Sequence, residues 1–203
     1  MTASGGSLHC ASWHGKLPSA GDFVARRMEP AFVERWDAWL SESLTNLQQR
    51  QDWLAQYLQC PAWRYLLMPG VIDQRTWCGV LMPSVDRVGR YYPLTLAMAW
   101  NDAPGAALAA SHFGWLASLE EVAYAALQEE WTADALEERL LQLAAPETAG
   151  DAQAPAGLAW HSHLGGKSCW YAHAAGESPR LLVCDGLDAQ ELGPALFTPA
   201  SAQ

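Results

Sequence analysis

Three strongly apolar segments in the middle of the chain place the tightest constraint on its fold. Residues 62–69, 76–83 and 91–100 (AWRYLLMP, TWCGVLMP and YYPLTLAMAW) are rich in aromatic and large aliphatic side chains and are bounded by turn-forming residues, as buried strands are. Only the short polar stretch SVDRVGR separates the second segment from the third. A parallel pair needs a crossover of about a dozen residues or more, so the sequence predicts a hairpin and an antiparallel sheet.

Helical periodicity begins at Pro30, a residue well suited to the first turn of a helix. The apolar positions that recur at helical spacing after it are Phe32, Val33, Trp36, Trp39, Leu40, Leu44 and Leu47. A second short helix is predicted over residues 52–60, ended by Pro61. A long helix follows Gly105 and runs to about residue 131, and Thr132 is a candidate N-cap for a further helix over roughly 133–144.

Additional strands are predicted on both sides of this central region. They are residues 7–14 (SLHCASWH), 158–163 (LAWHSH), 167–174 (KSCWYAHA) and 180–186 (RLLVCDG), followed by one or two helical turns within 188–197. The predicted fold class is therefore α/β of the α+β type, with a mixed, largely antiparallel central sheet of about five to seven strands flanked by helices. We expect one domain over residues 1–203, in which the Pro- and Gly-containing stretch 146–157 is a flexible loop or linker.

Charge is distributed unevenly along the chain. Residues 1–100 carry nine Lys or Arg and eight Asp or Glu, whereas residues 101–203 carry three and fourteen, which gives the formal net charge of −10. An acidic chain without a basic stripe is repelled by polyphosphate and by anionic lipid headgroups. We therefore expect neither a nucleic-acid partner nor insertion into a membrane.

The expected environment is a reducing one. Cys10, Cys60, Cys78, Cys169 and Cys184 form an odd set without a CxxC pair, and most lie in apolar segments where a thiol packs as a small hydrophobic group. The start of the chain has no basic residue followed by an apolar run, and no segment has about 18 uninterrupted apolar residues. The sequence predicts a soluble, cytoplasmic protein.

Three possible reaction centres are each incomplete. Gly166, Lys167 and Ser168 resemble the end of a phosphate-binding P-loop, but His161 stands where the first glycine is required. The side chains of His161, His163, Cys169 and His173 are of types that bind zinc, but they match no familiar ligand spacing. Ser84 and Asp86 lie close together without a GxSxG elbow, so turn formation explains them better than hydrolysis does. We expect no catalytic residue, no metal site and no cofactor.

Two polar loops are the best candidates for an interaction site. The segment SVDRVGR places Asp86, Arg87 and Arg90 within five residues, between two very hydrophobic strands. Guanidinium groups held on a short connection can form directional pairs with a partner's carboxylate or phosphate. The other interpretation is an internal pair of one arginine with an acid, which only fixes the loop. The same two interpretations apply to the first loop, and the full candidate set is Lys16, Ser19, Asp22, Ser84, Asp86, Arg87 and Arg90.

Long contiguous motifs in the first hundred residues resemble a known family. They are WHGKLPSAGDFV from residue 13, FVERWDAWL from residue 32, PAWRYLLMPG from residue 61 and GVLMPSVDRVGRYYPLT from residue 79. Together with RLLVCDG at 180–186 they closely resemble the TagF family of type VI secretion system-associated proteins. The resemblance is dense over about residues 12–100 and sparse after that.

The resemblance implies regulation of bacterial secretion. TagF proteins are described as post-translational repressors of the type VI machine, with a forkhead-associated (Fha) scaffold as a proposed target, and in some lineages the domain is fused to a phosphatase of the PP2C type. We expect this chain to be the stand-alone form, without such a phosphatase domain. The implied function is that of a non-catalytic repressor that binds a cytoplasmic scaffold or regulatory component, either through the two polar loops or through the acidic C-terminal half. The alternative is an uncharacterised enzyme or nucleotide-dependent switch that uses the polar loops around Lys16–Asp22 and Ser84–Arg90.

Overall fold

The protein is built around one open, seven-stranded antiparallel sheet. The structure, a computed structural model, describes residues 10–100, 105–143, 145, 165–173 and 178–197. The strands lie in the order β2-β1-β5-β4-β3-β6-β7. Their bounds are β1 Ser12–Gly15, β2 Val24–Arg26, β3 Trp63–Leu67, β4 Thr76–Met82, β5 Leu94–Trp100, β6 Lys167–Ala172 and β7 Arg180–Asp185. The predicted fold class and the predicted hairpin between β4 and β5 are confirmed. The strand predicted over 158–163 lies outside the described residues.

Five helices accompany the sheet in the described part of the chain. They are α1 Pro30–Gln48, α2 Trp53–Gln59, α3 Gly105–Gln128, α4 Ala133–Gln142 and α5 Leu192–Phe197. The first begins at the predicted proline, and the Thr132 hydroxyl accepts a hydrogen bond from the backbone N–H of Ala135 at 3.2 Å, which caps α4 as predicted. The third helix ends at Gln128, three residues before the predicted end.

Helices cover both faces of the sheet, which gives the molecule two hydrophobic cores. The helices α3 and α4 contribute to one core, and α1, α2 and α5 contribute to the other. Because successive side chains of a strand point to opposite faces, Val80 of β4 packs towards α3 while Trp77 and Leu81 pack towards α1. The apolar stripe predicted for α1 is buried except at Val33, which is half-buried.

The sheet topology brings the two polar loops to the same end of the molecule. Gly15 at the end of β1 pairs with Val24 at the start of β2, and His14 pairs with Thr95 near the start of β5. Met82 at the end of β4 pairs with Leu94. The β1–β2 loop (residues 16–23) and the β4–β5 loop (residues 83–93) therefore lie side by side, although residues 24–82 separate them in sequence.

The five cysteines are unpaired, and four of them are buried while Cys184 is half-buried. Among the described residues, no helix is both long enough and apolar enough to cross a membrane. The flexible segment predicted over 146–157 lies outside the described residues, and the expectation of one domain stays a prediction. Strands from residues 12–100 and from residues 167–185 do share the same sheet.

Candidate functional site

The Asp86 carboxylate lies at the centre of the β4–β5 loop. It is only 3% exposed and accepts hydrogen bonds from the backbone N–H groups of Val88 at 3.0 Å and Arg90 at 2.9 Å. The Arg90 Nε donates to it at 2.7 Å, and the Lys16 ammonium forms an ion pair with it. One buried carboxylate therefore links the two loops.

The charge of Asp86 is stabilised by these donors. Burial raises the pKa of the Asp86 carboxyl, but the hydrogen bond from Lys16 and the backbone and side-chain donors of Arg90 outweigh burial and hold this pKa well below its usual range. The Lys16 side chain is also enclosed, at 4% exposure, and its ammonium lies 4.7 Å from the centre of the Phe23 ring. The pair is therefore ionised and shielded, and it holds the loops in one arrangement.

Ser84 serves the backbone of the same loops. Its hydroxyl donates to the Lys16 carbonyl at 2.7 Å. The Tyr57 hydroxyl of α2 donates to the Ser84 carbonyl at 2.8 Å and accepts from the Ser84 N–H at 2.9 Å. Burial raises the pKa of the Tyr57 hydroxyl, so it stays protonated and remains a donor. Because the Ser84 proton points to a carbonyl and not to a base, the arrangement is not that of a nucleophile.

The two arginines of the loop have different environments. Arg90 donates to the carbonyl of Gly21 as well as to Asp86, and its guanidinium lies 3.8 Å from the exposed Asp22 carboxylate. Arg87 donates only its backbone N–H, to the Ala20 carbonyl at 2.9 Å. Its exposed guanidinium lies over Gly21 and has no acid partner among the described residues. Arg90 therefore supports the loop, whereas Arg87 is available to a partner.

The first loop is also attached to the helical layer. The Ser19 hydroxyl donates to the Trp131 carbonyl at 2.7 Å, between α3 and α4. The indole of Trp13 donates to Glu137 of α4 at 2.9 Å, and Arg27 forms an ion pair with the same carboxylate. Ser19, like Ser84 and Asp86, thus has an internal partner.

Sequence reasoning missed an aromatic group beside Lys16. The Phe23 ring stacks on His14 at 5.6 Å between ring centres and meets Tyr92 edge-on at 4.8 Å, yet it is 48% exposed. The Tyr92 hydroxyl donates to Asp37 at 2.5 Å. Burial lowers the pKa of His14, although Asp37 at 3.6 Å acts in the opposite direction. A large apolar residue at the end of a polar loop was the signal in the sequence for this group.

The P-loop and zinc candidates gain no support from the described geometry. Lys167 begins strand β6, so the element that follows Gly166 is a strand and not the helix that a P-loop requires. The Lys167 ammonium also forms an ion pair with Asp185. Burial raises the pKa of the Cys169 thiol to about 12, which keeps it protonated. His173 is exposed, and His161 and His163 lie outside the described residues. Within the described ranges there is no cluster of three or more His, Cys, Asp or Glu side chains that could hold a metal.

Comparisons with known proteins agree with the motif resemblance. Residues 12–143 match the family described as the TagF N-terminal domain, type VI secretion system-associated. Among solved structures, the chain is similar to PA0076 from Pseudomonas aeruginosa PAO1, with 34% identity and a TM-score of 0.79. That similarity covers 92% of this chain and 93% of the other. No curated protein matches the chain.

Proposed function

Because the chain belongs to the TagF family of type VI secretion system-associated proteins, we propose that it represses this secretion system after translation, by binding a cytoplasmic scaffold or regulatory component. An accessory role in type VI secretion follows from family membership itself. The family match also confirms the resemblance that the sequence motifs indicated. The repressor mechanism is the proposal, with the forkhead-associated scaffold as its target.

The observation that carries the proposal is the network of buried Lys16 and Asp86 with Arg90, an exposed residue that bonds to Asp86, while Arg87 stands outside this network. The network fixes both loops before any partner arrives, so their outward side chains lose little conformational freedom on binding. Arginine is also enriched among the residues that dominate interface energies. A rigid loop that presents a guanidinium with no acid partner in the described part of the chain is well suited to recognising a carboxylate.

Internal bonding of the polar side chains favours binding over catalysis. The hydroxyls of Ser19 and Ser84 donate to carbonyls, and the ammonium of Lys16 is paired with Asp86. A nucleophile or general base needs a group free to exchange a proton with a substrate. Because these polar groups already bond within the protein, the two loops are better suited to holding a binding surface than to reacting with a substrate.

The test is charge reversal at Arg87. We expect Arg87→Glu to weaken binding of the purified forkhead-associated scaffold by about 30-fold, which corresponds to roughly 2 kcal/mol for a central arginine contact. The same variant should restore secretion in cells that overproduce the protein. Binding calorimetry and immunoblotting of a secreted substrate measure the two effects.

Arg35→Glu is the matched control. Arg35 is an exposed arginine of α1 that has no acid partner among the described residues, so its reversal changes the net charge by the same amount. The control should bind and repress as the unmodified chain does. If Arg87→Glu keeps its melting temperature and still binds and represses normally, the loop is not the interface.

A further inference from the structure

An apolar groove lies beside the candidate loops at the same end of the sheet. It has a volume of about 440 Å³ and is lined by residues of α2, α3 and the ends of β3, β4 and β6. Pro61 and Pro83 contribute to it from the strand ends, and Tyr124 and Leu127 contribute from α3. Such a volume accommodates one or two large side chains and is open to solvent, unlike the two closed cores.

Two large apolar side chains on the groove remain exposed. Leu58 of α2 is 60% exposed and Tyr124 of α3 is 56% exposed, although these helices belong to opposite faces of the sheet. Exposed large apolar side chains that line the same groove are typical of an interaction site. The Glu120 carboxylate in the groove is already paired with Arg64 at 2.6 Å, so it does not demand a cation from a ligand.

The groove borders the first residue of the β4–β5 loop, Pro83. Pro83 lines the groove and stands four residues before Arg87, and a chain of four residues spans at most about 14 Å. Val88, next to Arg87, is 64% exposed. An extended peptide of about five residues is therefore long enough to span the distance between Pro83 and Arg87.

We propose that the groove and Arg87 together bind one short segment of a protein partner, with a large apolar side chain in the groove and an acidic side chain on Arg87. The proposal rests on the proposed function and adds the chemistry of the recognised segment. Charge complementarity argues for the acidic side chain, because Arg87 is exposed and has no acid partner among the described residues. The net charge of −10 opposes acidic partners elsewhere on the surface, so this local cation is the place where an acidic side chain can be accepted.

Site-specific photocrosslinking in the native host tests this proposal. A benzophenone amino acid replaces Tyr124 in one variant and Val88 in a second, and it replaces Leu141 of α4, an exposed residue that does not line the groove, in a control. We expect the probes at 124 and 88 to crosslink one partner at sites within about ten residues of each other. The peptide reached from position 88 should contain Asp or Glu, and position 141 should not reach it.

A synthetic peptide with the crosslinked sequence then provides a binding measurement. Tyr124→Ala and Arg87→Glu should each weaken its binding at least about tenfold, and increasing salt should weaken binding to the unmodified chain more than to Arg87→Glu. Leu141→Ala and Arg35→Glu should bind as the unmodified chain does.

Several results would overturn the proposal. They are crosslinks from the two probes to different proteins, crosslinks to a second copy of this chain, a basic or neutral peptide at position 88, and no crosslink from variants that still repress secretion. In each case the proposed repression can remain intact and only the groove assignment fails. Failure of the proposed function is separate, because overproduction of the unmodified chain would then leave secretion unchanged.

Discussion

The residues of the candidate loops divide into those that hold the loops and those that face solvent. Three buried residues join the two loops: Lys16 of the β1–β2 loop pairs with Asp86 of the β4–β5 loop, and the Ser84 hydroxyl donates to the Lys16 carbonyl. Arg87 and Val88 project outward from the same seven-residue connection. The sequence left both interpretations of the arginines open, because the spacing of Asp86, Arg87 and Arg90 is compatible with either. Bonds from the β4–β5 loop to the β1–β2 loop decide between the two interpretations. Lys16 and Gly21, which bond to Asp86 and Arg90, lie about 70 residues away in the chain.

Removal of the Asp86 charge should lower stability in a pH-dependent manner. We expect Asp86→Asn to melt well below the unmodified chain at pH 7, because it leaves Lys16 buried without its counter-charge. The folded-state pKa of Asp86 is depressed, so its contribution is complete above the unfolded-state pKa of about 4 and is lost as pH falls through the folded-state value. The difference between the two melting temperatures should therefore shrink below about pH 4.

Asp22→Asn provides the control for this titration. The Asp22 side chain is 82% exposed and lies 3.8 Å from Arg90, and an exposed ion pair contributes little to stability. Its melting curve should follow that of the unmodified chain. A difference between Asp86→Asn and the unmodified chain that stays constant down to pH 3 would contradict the assignment of the buried pair.

At the scale of elements, α1 shows how a sequence pattern becomes a core. Trp36 and Trp39 lie on one side of the helix and pack against Trp170 of β6, at 6.0 and 5.6 Å between ring centres. The helical spacing predicted this buried side correctly. It could not identify Trp170 as the neighbour, because the contact joins elements more than 100 residues apart and depends on the order of the strands.

Truncation of Trp39 measures the packing of α1. We expect Trp39→Ala to lower the free energy of unfolding by about 3 to 5 kcal/mol, since a buried indole is replaced by a cavity. For a chain of this length that corresponds to a fall of at least about 6 °C in melting temperature. Ala substitution of Arg35, on the exposed side of the same helix, should change the melting temperature little. A Trp39→Ala melt within about 2 °C of the unmodified chain would show that the helix packs differently.

The β6 strand gives a prediction about nucleotides. Because Lys167 is paired with Asp185 at a strand end and His161 replaces the required glycine, the Gly166–Ser168 segment should not bind phosphate. Calorimetry should detect no saturable binding of ATP or GTP to the chain, and Lys167→Ala should give the same result. Micromolar binding that Lys167→Ala abolishes would instead favour the nucleotide-dependent switch.

At the scale of the whole molecule, the sheet extends beyond the region matched by the family. The match covers residues 12–143, but β6 pairs with β3 and β7 pairs with β6. Trp170, Leu196 and Phe197 complete the core on the α1 face. The later strands and α5 are therefore structural parts of the fold that surrounds the candidate site.

A shortened chain tests this dependence. We expect residues 1–145 alone to lack a cooperative thermal transition, because β3 would become an open hydrophobic edge and the α1 tryptophans would lose their partner. Circular dichroism and size-exclusion chromatography of the shortened chain, beside the full chain as the control, measure this. A monomer with a sharp melt near that of the full chain would show that the later strands are dispensable.

The sequence by itself determined the helices, the strands other than β2 in the described part of the chain, the antiparallel hairpin, the buried side of α1 and the family. These properties depend on neighbouring residues, on periodicity and on contiguous motifs, all of which a single sequence displays. Only the tertiary structure decided which charges are internal and where the groove lies, because those depend on the order of the strands. Gly79 is one such case: within β4 it looks like a weak point, yet a Cβ there would overlap the Leu96 carbonyl. The Tyr65 hydroxyl donates to that carbonyl at 2.9 Å, a contact between strands that no local pattern records.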